Sequence, residues 1–441
     1  MSDSHRASPL DSMLRALRYR NYRLFFIGQG ISLIGTWMTQ VAMAWLVYRL
    51  SGSTFMLGVV GFSSQIATFL LAPAAGVLTD RWNRHRILVT MQSVAMLQSL
   101  VLALLAFTGV VSVWHIVLLS IAQGLVNAFD IPARQSFIVD LVTEKEDLSN
   151  AIALNSSMFN GARLLGPPIA GAVIAFGGEG LCFLIDGISY LAVIAMLLAM
   201  DSLPETVSAE KVNIAQEFVQ GLRYAAGLVP IRFLLLFIGF VSFAGMSYGV
   251  LMPAFAKEIL HGSSHVFGWL VGAIGLGALC GSLYLASRRS VRGLMKLTAW
   301  SAVVFGVALM AFAFSRSLWV SLGLLFVIGF GMIVQMAASN TILQTIVDDD
   351  KRGRIMSLFT MAFMGMSPWG SLAAGGLASW IGIPATLFLS GVLCVGGAVV
   401  LVSRLSELRA FIRPIYIKRG IISEVASGIQ TATALTSSTE D

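Results

Sequence analysis

Three charged side chains stand inside stretches that are otherwise apolar: Asp130, Arg163 and Asp186. Unpaired at the centre of a membrane-buried helix, each would cost about 2.5–3.5 kcal/mol. Their presence therefore calls for a partner, for water, or for work on an ion or a ligand. Arg163 is about twelve residues from either end of its apolar run, too deep for its guanidinium to reach an interface fully. It reads either as a counter-ion to Asp130 or Asp186, or as a cavity charge that meets a substrate or couples to protons. Asp130 lies near one end of its run and reads first as half of a structural or gating pair with Arg84 or Arg81. Asp186 lies roughly two turns from the end of its run. It reads first as solvated or packed, and second as a proton carrier.

Covalent chemistry finds no support. There is no phosphate-cradling lysine loop, no Cys/His ligand spacing, and no nucleophile with a base at motif spacing. His5, His85, His115, His261 and His265 fall in loops or at the ends of apolar runs, and Cys182, Cys280 and Cys394 lie singly within such runs as small packing residues. No catalytic residue, metal or cofactor is expected, and the chain does not read as an enzyme.

The elements that must position these charges are membrane helices. With a mean hydropathy of +0.83, 57% hydrophobic residues and only 12% charged ones in 441 residues, no water-soluble fold fits. Runs able to cross about 30 Å of hydrocarbon fall at 23–48, 54–78, 87–108, 113–133, 151–176, 180–200, 232–256, 266–287, 293–314, 318–345, 355–380 and 384–403. An all-α integral membrane protein with twelve transmembrane helices is expected. Of 29 Lys and Arg residues, 25 fall on one side of this arrangement, three (Arg49, Lys257, Arg316) on the other, and Arg163 within a span. Cations are retained on the cytoplasmic side, so both termini are expected there. The net charge of +7 is mostly this signal, not a sign of nucleic-acid binding.

Five regions follow: a leader at 1–22, a six-helix bundle at 23–200, a linker at 201–231, a second six-helix bundle at 232–404, and a basic segment with a disordered tail at 405–441. Within the linker Ile214, Phe218 and Leu222 recur every four residues between polar ones, as in a surface-lying amphipathic helix. The bundles echo each other faintly. Val139-Asp140 matches Val347-Asp348, and Gly166 to Gly171 (GPPIAG) matches Ser367 to Gly376 (SPWGSLAAGG).

Gly76 to Arg86 reads GVLTDRWNRHR, an interfacial turn in which an uncharged run stops at Asp80 and Arg81, Arg84 and Arg86 follow. It resembles the loop between helices two and three of major facilitator superfamily transporters, patterned G-x-x-x-D-R/K-x-G-x-R/K-R/K. Asn83 stands where that pattern has glycine, and asparagine tolerates the left-handed angles expected of a tight turn. GTWMTQ at Gly35 to Gln40 and DIPARQ at Asp130 to Gln135 are similar to the branch containing enterobactin exporters and macrolide efflux pumps. The resemblance runs from about Leu17 to Leu405. GPPIAG resembles the fifth-helix motif of exporters and antiporters, with Gly166, Pro167 and Gly171 matching. Its prolines are expected to kink the helix, and its small residues to pack on Gly268, Gly272, Gly277 and Gly281. Span four keeps Gln123-Gly124 of the R-x-x-Q-G pattern but has Ser120 in place of the arginine, so that arginine's proton-linked role does not carry over.

The resemblance implies two pseudo-symmetric six-helix halves around a central cavity lined by spans one, four, seven and ten. Its lining would include Trp37, Gln40, Gln123, Asn127, Met246, Tyr248, Gln335, Met336 and Asn340. It further implies a gating relay of Gly76, Asp80, Arg81, Arg84, Arg86, Asp130 and Arg354, in which Asp80 meets Arg354 and Arg84 meets Asp130. The implied function is export of a hydrophobic or amphiphilic small molecule by alternating access, with proton antiport, by a monomer in the bacterial inner membrane. A dedicated siderophore exporter is the nearest alternative, and a non-transporting sensor or lipid-handling protein the alternative of another class. The implied partners are the small molecule, protons and the lipid bilayer.

Overall fold

The computed structural model describes residues 14–201, 214–246, 248–288 and 290–421, and among these there are helices and no strands. A short 3-10 turn, Arg15–Arg18, leads into α1 (Arg20–Ser51), α2 (Thr54–Arg81), α3 (Arg84–Phe107) and α4 (Val113–Asp140). The next helix, Lys145–Leu198, has 54 residues, about 80 Å at 1.5 Å per residue and too long for one crossing. It is two passes joined without a loop. At Gly178 the backbone reaches φ 76° and ψ 176°, a conformation few residues but glycine adopt, and this separates α5 (145–177) from α6 (179–198).

The second half repeats the plan after α7 (Ile214–Gly227), which occupies the linker. Its first pass is α8 (Val229–Gly245), α9 (Tyr248–Ala254) and a π turn at Phe255–Ile259. Then come α10 (Ser264–Ala286), α11 (Leu294–Ala313), α12 (Leu318–Ile346), α13 (Arg352–Ile381) and α14 (Ile383–Ser403). Ten of these helices are long and apolar enough to cross a membrane. One carries both α5 and α6, and the 30-residue α13, more polar because Ser357, Thr360, Ser367 and Ser371 punctuate it, completes twelve passes. The basic segment after residue 404 begins as a helix, α15 (Leu405–Lys418), burying Leu408, Ile412 and Tyr416. Residues 422–441, expected to be disordered, lie outside those described.

Ends are set by local chemistry. The Ser53 hydroxyl accepts from Met56 N at the start of α2, Ser112 and His115 form a reciprocal capping box at the start of α4, and Gly52 closes α1 in the left-handed region. Twelve passes place the first and last described segments on one face of the bundle, termed here the terminal face. On it the leader is strapped to the first turn of α5: Arg18 and Tyr19 reach the buried Asp147, and Tyr22 donates to Ala151 O at 2.8 Å.

Within the first half α1 packs on α5 and α6, α3 on α6, and α2 on α4; within the second, α10 and α11 pack on α12, and α11 on α14. Two seams join the halves, α5 with α10 and α2 with α13. Near the opposite face the seams repeat one contact. Ser264, first residue of α10, donates its hydroxyl to Gly171 O at 3.0 Å, and Thr54, first residue of α2, donates to Gly375 O at 3.1 Å. A Cβ at Gly171 would fall 2.6 Å from Ser264 O, and one at Gly375 would fall 2.6 Å from Thr54 O, so each glycine is fixed by close approach.

Candidate functional site

The α5–α10 seam explains why two adjacent prolines are tolerated. Pro167 and Pro168 cannot donate to the carbonyls four residues earlier, those of Arg163 and Leu164. Those carbonyls face α10: Gly275 lies against Arg163 O and Leu164 Cα, Gly272 against the Pro168 ring, and Gly268 against Pro167 O. Glycine-lined α10 thus approaches closely enough for weak C–H contacts to the freed oxygens. Helical angles run through both prolines, and the helix leaves them only at Gly178. Two expected partners also differ. Gly277 and Gly281 face Phe326, Phe330 and Ile333 of α12, while Gly275, absent from the expected set, takes their place on α5.

One turn from the prolines, α5 presents Phe159, Arg163 and Gly166 along one face to Trp37 of α1. The Trp37 and Phe159 rings meet edge to face with centroids 5.8 Å apart, and a Cβ at Gly166 would fall 2.5 Å from Trp37 Cβ. The Arg163 guanidinium lies over the Trp37 ring, 5.9 Å from its centroid, and within electrostatic reach of Tyr248 in the other half. Among the described residues it makes no ion pair and no hydrogen bond. Arg163 is therefore not the counter-ion of Asp130 or Asp186.

Both acids are engaged elsewhere. Asp130, 2% exposed, accepts from Gln92 of α3 at 2.8 Å and is paired with Arg134 one turn along its own helix. The expected Arg84–Asp130 pair does not form; Arg84 binds Asp140 through both carboxylate oxygens at 3.0 and 2.9 Å. Asp186, 1% exposed, is packed rather than solvated. One oxygen accepts from Ser99 at 2.9 Å, and Gly35 lets α1 close over the other, a Cβ there falling 2.8 Å from Oδ1. Oδ1 and the Thr39 hydroxyl are buried beside each other, with no cation near them.

The second half brings residues of α8, α11, α12 and α13 together around one pocket. Gly245 ends α8 against Phe305 and Cys394, α9 starts at Tyr248, and Gly249 has nothing within 4 Å of a would-be Cβ. Met246, Gln335 and Met336 line this pocket with Met332, Phe305 and Phe363, and Tyr248 packs edge-on to Phe305 at 6.1 Å. Met332, Phe305 and Phe363 were not anticipated; Phe305 belongs to α11, a span the resemblance leaves outside the cavity. Gln40 is exposed, Gln123 bonds Asn127 at 3.1 Å within α4, and Asn340 accepts from Gln344 at 2.5 Å near the terminal end of α12. Gln123 and Asn340 thus pair along their own helices, and none of these polar residues bonds to Arg163.

At the 2–3 turn Asn83 is extended (φ −61°, ψ 111°) and caps α3 by accepting from Arg86 N at 3.0 Å, so it does not supply a left-handed turn. An N-cap needs a short side-chain acceptor, which asparagine has and glycine lacks. Gly76 faces open space and Arg86 is exposed. The side chains of Asp80 and Arg81 lie outside those described, and with them the expected Asp80–Arg354 contact. Arg354 itself packs on Gly221 of α7, which also docks through Tyr224 OH to Asp348 at 3.0 Å. Burial holds the Tyr224 hydroxyl above its ordinary pKa.

Comparison with known proteins agrees with this architecture. The chain is 24% identical over 397 residues to a staphyloferrin A transporter of Staphylococcus aureus, covering 88% of this chain and 97% of that protein. It is 26% identical over 395 residues to the multidrug efflux pump Tap of Mycolicibacterium fortuitum, covering 86% and 95%. Among solved structures the nucleoside transporter NupG superposes with a TM-score of 0.68 at 14% identity, covering 88% of this chain and 99% of that one. The family described as transmembrane secretion effector matches residues 11–414, and the chain belongs to it, as a major facilitator transporter of the efflux branch.

Proposed function

We propose that this protein is a secondary active exporter that moves a hydrophobic or amphiphilic small molecule outward by alternating access, with the terminal face cytoplasmic in a bacterial inner membrane. The observation that carries this reading is the paired clasp at Ser264–Gly171 and Thr54–Gly375, together with a methionine- and phenylalanine-lined pocket in the second half and the Trp37–Phe159 pair in the first. Two glycine-lined seams suit rigid halves that rock against each other, and soft side chains suit ligands of variable shape. The positive-inside charge split supports the orientation. Proton antiport is the proposed energy source: one charge moving down the potential yields about 2.3 kcal/mol per 100 mV. Asp186, a buried acid without a cation, is the proposed carrier.

Purified protein in vesicles, given an imposed pH difference, tests this with neutral, anionic and cationic amphiphilic dyes. Uphill movement of at least one dye, lost when the pH difference is collapsed, is expected. Failure to move any of them would remove the reading. The staphyloferrin A transporter among the relatives favours a dedicated siderophore exporter as second reading. Loss of siderophore secretion without drug sensitivity in a deletion strain would decide for it.

A further inference from the structure

We propose that the exported molecule carries an anionic group, a carboxylate or phosphate, that docks on Arg163 while its apolar body lies against Trp37, Phe159 and Tyr248; this rests on the export reading, since it names what the exporter selects. Arg163, half-buried over the Trp37 ring, has no counter-charge among the described residues. The groups within its reach are neutral: Trp37 on α1 and Tyr248 on α9, while α10 packs through Gly275 on the Arg163 backbone. No Asp or Glu occurs anywhere between residues 259 and 347, or between 351 and 406, so the spans of the second half from α10 onward supply no acid at depth. In the first half Asp130 is committed to Arg134 and Asp186 to Ser99. Freed of protein acceptors, the planar guanidinium fork fits a carboxylate or phosphate bidentately, and a site short of water strengthens that bond. A neutral amphiphile would leave the charge uncompensated, and a cationic one would add a like charge beside it. Arg163 thereby selects against cations as well as for anions. Trp37 and Phe159 supply a rigid aromatic wall for the body of the ligand. A free amphiphilic acid and an anionic lipid headgroup share this chemistry.

The test uses the full-length protein in phosphatidylcholine nanodiscs, titrated with pyrenebutyrate, its primary amide and pyrenylbutylammonium. The carboxylate is expected to bind about tenfold tighter than the amide, with the ammonium weakest. Arg163→Gln should bring carboxylate and amide within about twofold, and Arg163→Lys should restore part of the gap. Adding phosphatidylglycerol separates the two sources: unchanged pyrenebutyrate affinity assigns the anion to a free solute, and competition assigns it to lipid. Equal binding of carboxylate and amide by the wild type, a comparison that needs no variant, would overturn the inference. So would a preference that survives Arg163→Gln. Vesicle export of all three probes without charge preference would sink the anion site and leave the exporter standing. A carboxylate preference without export of any probe would do the reverse.

Discussion

Asp130 and Asp186 are both buried acids of the first half, yet only Asp130 has a cation, and the same substitution should act oppositely on them. Asp130→Asn strands Arg134 and is expected to cost about 3 kcal/mol, most of it recovered by adding Arg134→Gln. A double-mutant cycle on thermal unfolding in detergent measures this coupling. Asp186→Asn removes a charge that no partner compensates and is expected to leave stability unchanged or raise it by about 1 kcal/mol, while proton-driven export in vesicles stops. Neither variant should rescue Arg163→Ala, since neither acid touches Arg163. The depth of all three charges was legible in the sequence, because an apolar run fixes how far a residue lies from its ends. Their partners were not. Pairing depends on helix rotation, and one turn of α4 decided it: Arg134 reaches Asp130 before Arg84 can, and Arg84 takes Asp140 instead.

At the scale of elements, the seams depend on glycines with no room for a methyl group. Gly171→Ala and Gly375→Ala each place a Cβ 2.6 Å from a backbone oxygen of the other half. Such overpacking costs about 1–3 kcal/mol, enough to shift a two-state balance by roughly one to two orders of magnitude. Either variant is expected to open the rim opposite the termini, read as faster thiol labelling of Ser53→Cys. Unchanged labelling would mean that the clasp does not hold the closed state. The helices themselves were readable from hydropathy, and GPPIAG pointed to α10. How the carbonyls freed by the prolines are met was not readable, because it turns on which glycines of the neighbour face them, and Gly272 and Gly275 lie against that stretch. Gly178 escaped notice for a similar reason: glycines abound in this chain, and sequence does not say which one carries a positive φ.

For the whole molecule, the Thr54–Gly375 and Ser264–Gly171 contacts are related by the internal repeat, so a crosslink at one should arrest motion at both. Oxidised Thr54→Cys/Gly375→Cys protein is expected to stop export and to recover when reduced. Two halves of six passes were legible from run lengths and the long linker. The pocket of the second half was not legible, because Phe305 and Phe363 come from spans whose hydropathy does not say which face turns inward. The loopless joint at Gly178 reaches furthest. On one arm it carries Arg163, held over Trp37, and on the other Asp186, sealed inside the first half. A long flexible loop would let either arm move alone. A single-residue joint works as a stiff crank with almost no play, so a push felt at Arg163 is delivered to the packing around Asp186. Slack introduced there, as by inserting a few Gly-Ser residues after Gly177, should leave the ligand bound and the proton idle: facilitated leak in place of uphill pumping.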